Sequence, residues 1–134
     1  MTNWIMSANP AVYDHESAFR ERGYIDWKQT RNFAVGDIVY IYCTKPLGRI
    51  RFKTVVSEVN KYGFTADCYW RTAPPENTSS MKCMRLKYLN ESNSDELSFT
   101  ALKGKGMNYP PQSPCRVNGD LLLSIERCFG GTEK

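Results

Sequence analysis

The chain has little of the chemistry on which hydrolytic and metal-dependent enzymes rely. Its 134 residues include one histidine and five cysteines, and no two cysteines form a Cys-x-x-Cys pair. Structural zinc sites use such closely spaced ligands, and a serine or cysteine triad would have to be built around His15. A phosphate loop and a dinucleotide-binding fingerprint are also absent. These absences predict no metal, no cofactor and a binding protein rather than an enzyme.

Long apolar runs and a secretory leader are missing as well. The opening MTNWIMSANP has neither a basic start nor an extended apolar stretch, and no run approaches the length of a membrane-spanning helix. Dispersed cysteines in odd number without a secretion signal are typical of reduced thiols, so we expect a cytoplasmic protein without a membrane segment. Cys43 and Cys68 lie in apolar stretches, which predicts that both pack in the core.

What the chain does contain is typical of one soluble domain over residues 1–134. Apolar residues make up 41% and charged residues 24% of the chain, as in ordinary globular domains. The formal charge is +4, and two long stretches, 38–57 and 97–119, carry cations without a single acid. This distribution favours nucleic acid as a partner, and a pair of solvated loops is the alternative.

Hydrophobic periodicity and capping residues predict an α+β domain built on a small barrel. Apolar segments and apolar alternation predict strands over 4–7, 38–44, 50–59, 64–70 and 83–89. Both faces of the strand over 38–44 are apolar or aromatic, so we expect it to be covered on two sides. Capping residues predict helices over 16–22, 98–105 and 119–128. Segment 25–33 has no clean period and is predicted to be a loop or a single helical turn. Ile50 and Phe52 are expected on one face of their strand, with a bulge near Val55 and Val56.

The order of several short segments resembles the EVE family, whose domains belong to the PUA-like superfamily with the YTH and ASCH domains. The matching pieces are WIMSANP, IDWKQ, GDIVYIY, MRL and SFTALKGKGMNYPPQSPCRV. In the last piece, Gly106, Gln112 and Arg116 occupy the places of a family motif, and Ser113 replaces its usual glycine. The resemblance implies a pseudobarrel of about five to six short strands with short helices packed around it. It also implies a pocket for a modified base in DNA or RNA and, from the relatives' neighbours, a partner nuclease.

Trp27 is the residue that the sequence singles out for binding. It lies beside Lys28 and Gln29 in a segment whose period does not explain the ring; these neighbours suit a phosphate and a base edge. A base stacked on such a ring gains about 1–3 kcal/mol. We expect Trp27 to form one wall of an aromatic cage, with Tyr42 or Trp70 opposite. The alternative is a tryptophan that plugs the barrel mouth.

Polar residues near strand ends complete the predicted pocket. Ser7 and Asn9 follow the first strand and could read a base edge, although turn formation is the competing explanation for Asn9. Thr44 ends a strand and could clamp the backbone of an extruded nucleotide. The family resemblance adds Gln112 and Ser113 as the far wall.

Basic side chains are expected to meet phosphate groups around this pocket. The predicted contacts are Lys45, Arg49, Arg51, Lys53, Arg85 and Arg116. Such contacts would be independent of base sequence and sensitive to salt. For Arg85, a side chain that merely points outward is the alternative.

These features together indicate a non-catalytic module that takes one base, modified and in DNA, out of its strand into an aromatic pocket. One rival is an RNA-binding module of the YTH or PUA kind. The others are an ASCH-like nuclease or hydrolase and a pocket for a free small molecule.

Overall fold

A six-stranded mixed sheet forms the centre of the computed structural model, which describes residues 1–44, 46–63, 68–73, 80–108 and 110–129. Its strands are β1 (Asn3–Ala8), β2 (Tyr24–Lys28), β3 (Ile38–Cys43), β4 (Arg49–Tyr62), β5 (Lys82–Glu91) and β6 (Cys115–Arg116). The strand order is β2-β5-β4-β3-β1-β6. β1 and β3 run parallel, and the other neighbouring pairs are antiparallel. The described strands do not close into a barrel, because β2 and β6 form open edges.

Three short helices among the described residues accompany the sheet, and the predicted α+β class is confirmed. They are α1 (His15–Arg22), α2 (Phe99–Lys103) and α3 (Gly119–Cys128), with a 3-10 turn over Asp95–Leu97 before α2. α1 begins where the Asp14 side chain accepts a hydrogen bond from Ser17 N at 3.1 Å and ends at Gly23, whose φ of 83° is left-handed. α2 begins at Ser98, which caps Ala101 N at 3.2 Å.

Apolar side chains on the two faces of the sheet form two separate cores. The α1-side core is built mainly from Trp4, Met6, Ala18, Phe19, Ile25, Val39, Ile41, Phe52, Val56, Met84 and Leu86. The α3-side core is built mainly from Ile5, Tyr40, Tyr42, Ile50, Leu97, Leu102, Val117 and Ile125. β3 contributes to both, which confirms the prediction of a strand covered on two sides. Burying one Ile or Leu side chain stabilises the fold by about 1.5–3 kcal/mol.

A tight turn anchors the start of β3 to the start of β1. The Asp37 carboxylate accepts hydrogen bonds from Thr2 N (2.9 Å), Trp4 Nε1 (3.0 Å) and Ala34 N (3.0 Å). Gly36 in this turn has a φ of 95°, a conformation that suits glycine. Three donors around one buried carboxylate fix the relative position of the two strands.

The loop predicted over 25–33 is wrong for its first part, because Tyr24–Lys28 is β2. It pairs antiparallel with β5 and places Trp27 opposite Met84. Ile25 is buried in the α1-side core, whereas Asp26 accepts two hydrogen bonds from Arg85 at 2.9 and 3.1 Å. Ile25 and Trp27 alternate with Asp26 and Lys28, as in a half-buried strand, but the alternation covers only five residues and the irregular segment 29–33 follows it.

The two faces predicted for β4 require a correction at its start. Opposite β3, Phe52 pairs with Ile41 but Ile50 pairs with Tyr42, so Arg51 is the extra residue of a bulge. Ile50 therefore faces the α3-side core and Phe52 the α1-side core. Further register shifts against β5 begin near Lys53 and near the predicted Val56.

The strand predicted over 64–70 lies partly outside the described residues, which resume at Cys68. Cys68 and Tyr69 form a turn, and Trp70 makes an isolated bridge to Tyr13. Cys43 is buried as predicted, but Cys68 is exposed because it lies in this turn. All five cysteines are free thiols. Within the described ranges, no helix is long and apolar enough to span a membrane.

Candidate functional site

A cavity of about 280 Å³ brings together three distant segments of the chain beside Trp27. Ser7 comes from the end of β1, Trp27 and Lys28 from the end of β2, and Gln112 and Ser113 from the segment before β6. These are five of the ten residues predicted for a base pocket. The volume is just below the usual range for ligand pockets, about 300–1,000 Å³. It therefore suits one heterocycle better than a larger ligand.

Hydrogen bonds hold the segment before β6 against this cavity from two sides. The Ser7 hydroxyl donates to the Pro111 carbonyl, which ties the segment to β1. The Arg31 guanidinium donates to Ser113 Oγ at 3.1 Å. The Ser7 oxygen retains acceptor capacity after donating its proton, so it can still receive a hydrogen bond from a ligand.

Trp27 is a braced wall of the cavity. Its indole lies parallel to that of Trp70, with centroids 5.8 Å apart and 3° between the planes. Tyr13 packs against it edge-on at 5.1 Å, and the His15 ring is 5.0 Å away. Centroid distances of this size indicate direct contact between offset rings, which leaves no room for a base between the indoles. Trp70 therefore supports Trp27 and does not form the opposite wall of a cage.

His15 lies behind this wall and is almost fully buried. Only 2% of its surface is exposed, and neither ring nitrogen has a hydrogen-bond partner among the described residues. Burial lowers the pKa of His15 from 6.5 to about 4, and the nearby Tyr13 carbonyl partly opposes this shift. The ring next to Trp27 is therefore neutral at physiological pH.

Tyr42 and Thr44 lie at a different cavity, of about 530 Å³, together with Phe99 and Thr100. Tyr40 and Tyr42 share one face of β3, as residues two apart in a strand must, and that face packs in the α3-side core. The structure therefore does not bring Tyr42 or Thr44 to the Trp27 cavity.

Asn9 and Gln29 have internal roles that do not involve the cavity. The Asn9 side chain accepts from Ala11 N at 2.9 Å, and its carbonyl accepts from Tyr13 N at 3.2 Å, which is the turn named as the alternative. Gln29 is buried. Its amide donates to Asn60 Oδ1 at 3.1 Å and accepts from Asn60 N at 2.8 Å, so its base-reading groups are engaged within the chain.

Most of the predicted phosphate contacts are engaged by carboxylates. The ion pairs are Arg49–Asp95 at 3.0 Å, Arg51–Glu16 at 3.4 Å, Arg51–Glu91 at 3.6 Å, Lys53–Glu126 at 2.9 Å and Arg85–Asp26 at 2.9 Å. Hydrogen bonding to the Asp26 carboxylate raises the pKa of Arg85. None of these four cations lines the Trp27 cavity, so the structure does not assemble them around the predicted pocket. Lys45 lies outside the described residues.

Two cations at the mouth of the cavity differ from that group. Lys28 and Arg31 are exposed, line the cavity and make no ion pair with a carboxylate that the structure describes. Arg116 is also exposed, and its guanidinium lies 5.5 Å from the centre of the Trp4 ring. Arg31 was not among the predicted site residues, nor were Met6, Thr30 and Pro114, which complete the lining. The available signal was another acid-free stretch with two cations, 27–36.

The described part of the chain contains no group of three His, Cys, Asp or Glu side chains placed to hold a metal ion. The nine residues that line the Trp27 cavity include no acid, histidine or cysteine. The cavity thus offers an aromatic wall, hydroxyl and amide groups, and cations at its mouth. Such groups can stack with a flat ring, read its edges and attract a negative charge.

Comparisons with solved structures identify the fold. A Rhodopseudomonas palustris protein solved by NMR has a TM-score of 0.69 and 14% identity, covering 100% of this chain and 97% of its own. A hypothetical protein from Leishmania major has a TM-score of 0.66 and 16% identity, covering 100% and 98%. ASCH from Zymomonas mobilis has a TM-score of 0.64 and 12% identity, covering 94% of both chains.

These neighbours show that the chain shares the fold of ASCH from Zymomonas mobilis, which confirms the predicted α+β fold class. At such low identity the likeness establishes the fold alone. No model of a known family matches the chain, and no curated protein matches it in sequence.

Proposed function

We propose that this protein is a non-catalytic nucleic-acid-binding module of the EVE kind, acting in the cytoplasm, whose Trp27 cavity receives one extruded base. The observation that carries the proposal is the convergence of Ser7, Trp27, Lys28, Gln112 and Ser113 on one cavity. They come from three segments far apart in sequence. The proposed ligand is a modified base in DNA, and RNA is the alternative. A partner nuclease would supply any cleavage.

The lining gives each part of a nucleotide a chemically suitable contact. The exposed part of Trp27 offers a stacking surface, and the Ser7 hydroxyl and the Gln112 amide offer donors and acceptors for base edges. Met6 and Pro114 offer apolar surface for an added methyl group. Such a group contributes only about 0.8 kcal/mol when buried, so we expect modest preference for a modified base over the plain one.

Lys28 and Arg31 are the cations proposed to meet the flanking phosphates. A cation that already pairs with a carboxylate must give up that interaction before it binds phosphate, whereas these two have no described carboxylate partner. They therefore replace Arg49, Arg51, Lys53 and Arg85 in the proposed contact set. The attraction would depend on salt rather than on base sequence.

Stacking on Trp27 is tested by quenching of the intrinsic fluorescence. Single-stranded DNA and RNA oligonucleotides that carry 5-methylcytosine, N6-methyladenine or no modification are titrated into the full chain. Quenching should be largest for one modified base, and it should be strongly reduced in Trp27→Phe. Trp70→Phe is the matched control, because Trp70 supports the wall without lining the cavity, and it should retain most of the affinity. Equal affinity of Trp27→Phe and the wild type would overturn the assignment of the pocket.

The phosphate contacts are tested by the salt dependence of the same titration. Arg31→Gln should reduce the slope of log affinity against log salt concentration by about 0.7, the contribution of one phosphate contact on a single strand. Lys87→Gln is the matched control, because Lys87 is an exposed cation with no described ion pair and does not line the cavity. Equal slopes for the two variants would remove Arg31 from the site.

Incubation of labelled oligonucleotides with divalent metals tests the proposal that the protein is not a catalyst, since any turnover would contradict it.

A further inference from the structure

A second and larger cavity, of about 560 Å³, adjoins the Trp27 cavity. Gln112 and Ser113 line both cavities, so this segment lies between them. The buried side chains of Ile5 and Met107 give the second cavity an apolar surface. Asn108 and Arg116 add an amide and a cation. An apolar surface with polar edge groups and a cation suits a second nucleotide.

A hollow with two cations connects the two cavities on the outside. It is lined by Trp4, Asn32, Pro114, Cys115 and the two arginines Arg31 and Arg116. Arg31 also lines the Trp27 cavity, and Arg116 also lines the second cavity. Arg31 therefore lies between the Trp27 cavity and the hollow, and Arg116 lies between the hollow and the second cavity.

The two arginines are well suited to a phosphate in this hollow. Both are exposed, and neither pairs with a carboxylate among the residues the structure describes. Planar guanidinium groups bind phosphate oxygens with two donors at once. A phosphodiester that lies between them would join a nucleotide in one cavity to a nucleotide in the other.

We infer that the second cavity binds the neighbouring nucleotide of the same strand, so that the ligand is a single-stranded segment of at least two nucleotides. This rests on the proposed function of the Trp27 cavity. Two adjacent bases on opposite sides of the Gln112–Ser113 segment are neither stacked on each other nor paired with a second strand. A duplex in which only one base is extruded would leave the second cavity empty.

Two native thiols allow a direct test, because Cys115 lines the second cavity and Cys68 does not. Both are exposed in the structure. Partial desolvation raises the pKa of the Cys115 thiol, with Arg31 opposing the shift, so alkylation with iodoacetamide is carried out at mildly alkaline pH. Mass spectrometry then gives the rate at each cysteine in the same molecule. The probes are a nucleoside monophosphate and a single-stranded oligonucleotide about ten nucleotides long, each with 5-methylcytosine or N6-methyladenine, and the corresponding duplex.

The oligonucleotide should quench Trp27 and slow alkylation of Cys115 several-fold, while Cys68 reacts at its original rate. The monophosphate and the duplex should leave Cys115 reactive. Quenching of Trp27 by the oligonucleotide without protection of Cys115 would overturn this inference and leave the proposed function standing. Protection of Cys115 by the monophosphate or the duplex would also overturn it. If no probe quenches Trp27 or protects Cys115, the proposed function and the inference fail together.

A matched pair of substitutions provides an independent measurement. Cys115→Trp fills part of the second cavity from an exposed position on the edge strand β6, whereas Cys115→Ser keeps the size of the side chain. The tryptophan variant should bind the oligonucleotide several-fold more weakly than the serine variant and should bind the monophosphate equally well. Equal oligonucleotide affinities for the two variants would contradict the second binding position.

Discussion

Lowering the pH from about 7.5 to about 5 is expected to destabilise the folded protein through one residue, His15. It is the only histidine in the chain. Burial lowers its pKa to about 4 from an ordinary 6.5, with Tyr13 and Asp14 opposing the shift and Arg71 adding to it. Between these two values the unfolded chain binds more protons than the folded one. The free energy of unfolding is therefore intact above the unfolded pKa and falls as the pH drops through this window.

The size of the effect follows from the two pKa values. A difference of this size corresponds to about 3 kcal/mol, because each unit of pKa contributes about 1.4 kcal/mol. By about pH 5, roughly 2 kcal/mol of this should be lost. Carboxylates with lowered pKa values, such as Asp14 and Glu16, add their own losses only at pH values below about 4.5. The interval from about pH 7 to about pH 5 therefore reports on the histidine.

Urea unfolding of the wild type and of His15→Phe across this interval measures the effect. Phenylalanine keeps a ring against Tyr13 and Trp27, has nothing to titrate and removes two buried nitrogens without described partners. The variant should be at least as stable as the wild type at neutral pH, and its free energy of unfolding should lack the wild type's loss of roughly 2 kcal/mol down to about pH 5. A flat wild-type profile, or an equal slope in the variant, would refute the role of His15.

Three further substitutions test how the fold holds the site. Asp37→Asn replaces the charged acceptor of three N–H donors and should cost about 2–3 kcal/mol in urea unfolding; an unchanged midpoint would contradict this. Gln29→Leu leaves the Asn60 amide, held at a φ of 56°, without its acceptor, so hydrogen exchange there should accelerate and about 1–2 kcal/mol should be lost. Burial lowers the pKa of Lys53 and raises that of Glu126. Lys53→Met alone should therefore destabilise by about 1–2 kcal/mol, and adding Glu126→Leu should recover most of it; purely additive losses in the double-mutant cycle would contradict the pairing.

Elements with strong local signals could be predicted from the sequence, and those defined by distant partners could not. α1 carries both its start signal, Asp14, and its stop signal, Gly23, within its own segment. β2 has only a weak signal, because the alternation of Ile25 and Trp27 with Asp26 and Lys28 covers just five residues. Its identity as a strand depends on β5, which lies far along the chain. The bulge at Arg51 likewise arises from pairing with β3 and not from the residues of β4 alone.

The residues of the candidate site show the same difference between local signals and distant partners. Trp27 could be predicted because its neighbours are polar, and Gln112 and Ser113 because of the family resemblance. The core that Tyr42 faces could not be predicted. Alternation places Tyr40 and Tyr42 on one face of β3, but it does not show which of the two cores that face meets. The basic stretches were visible in the sequence, but the carboxylates that pair with most of their cations come from distant segments. Only three-dimensional packing separates paired cations from unpaired ones.

The edge position of β2 has a consequence for how the molecule is made. On the ribosome, Asp26 emerges 59 residues ahead of Arg85, its partner across the sheet. A nascent chain that ends before β5 has no described strand to which β2 can add, so the strand that carries the indole lacks the partner that fixes its register. Binding competence would consequently arise late in translation, after most of the polypeptide has been synthesised.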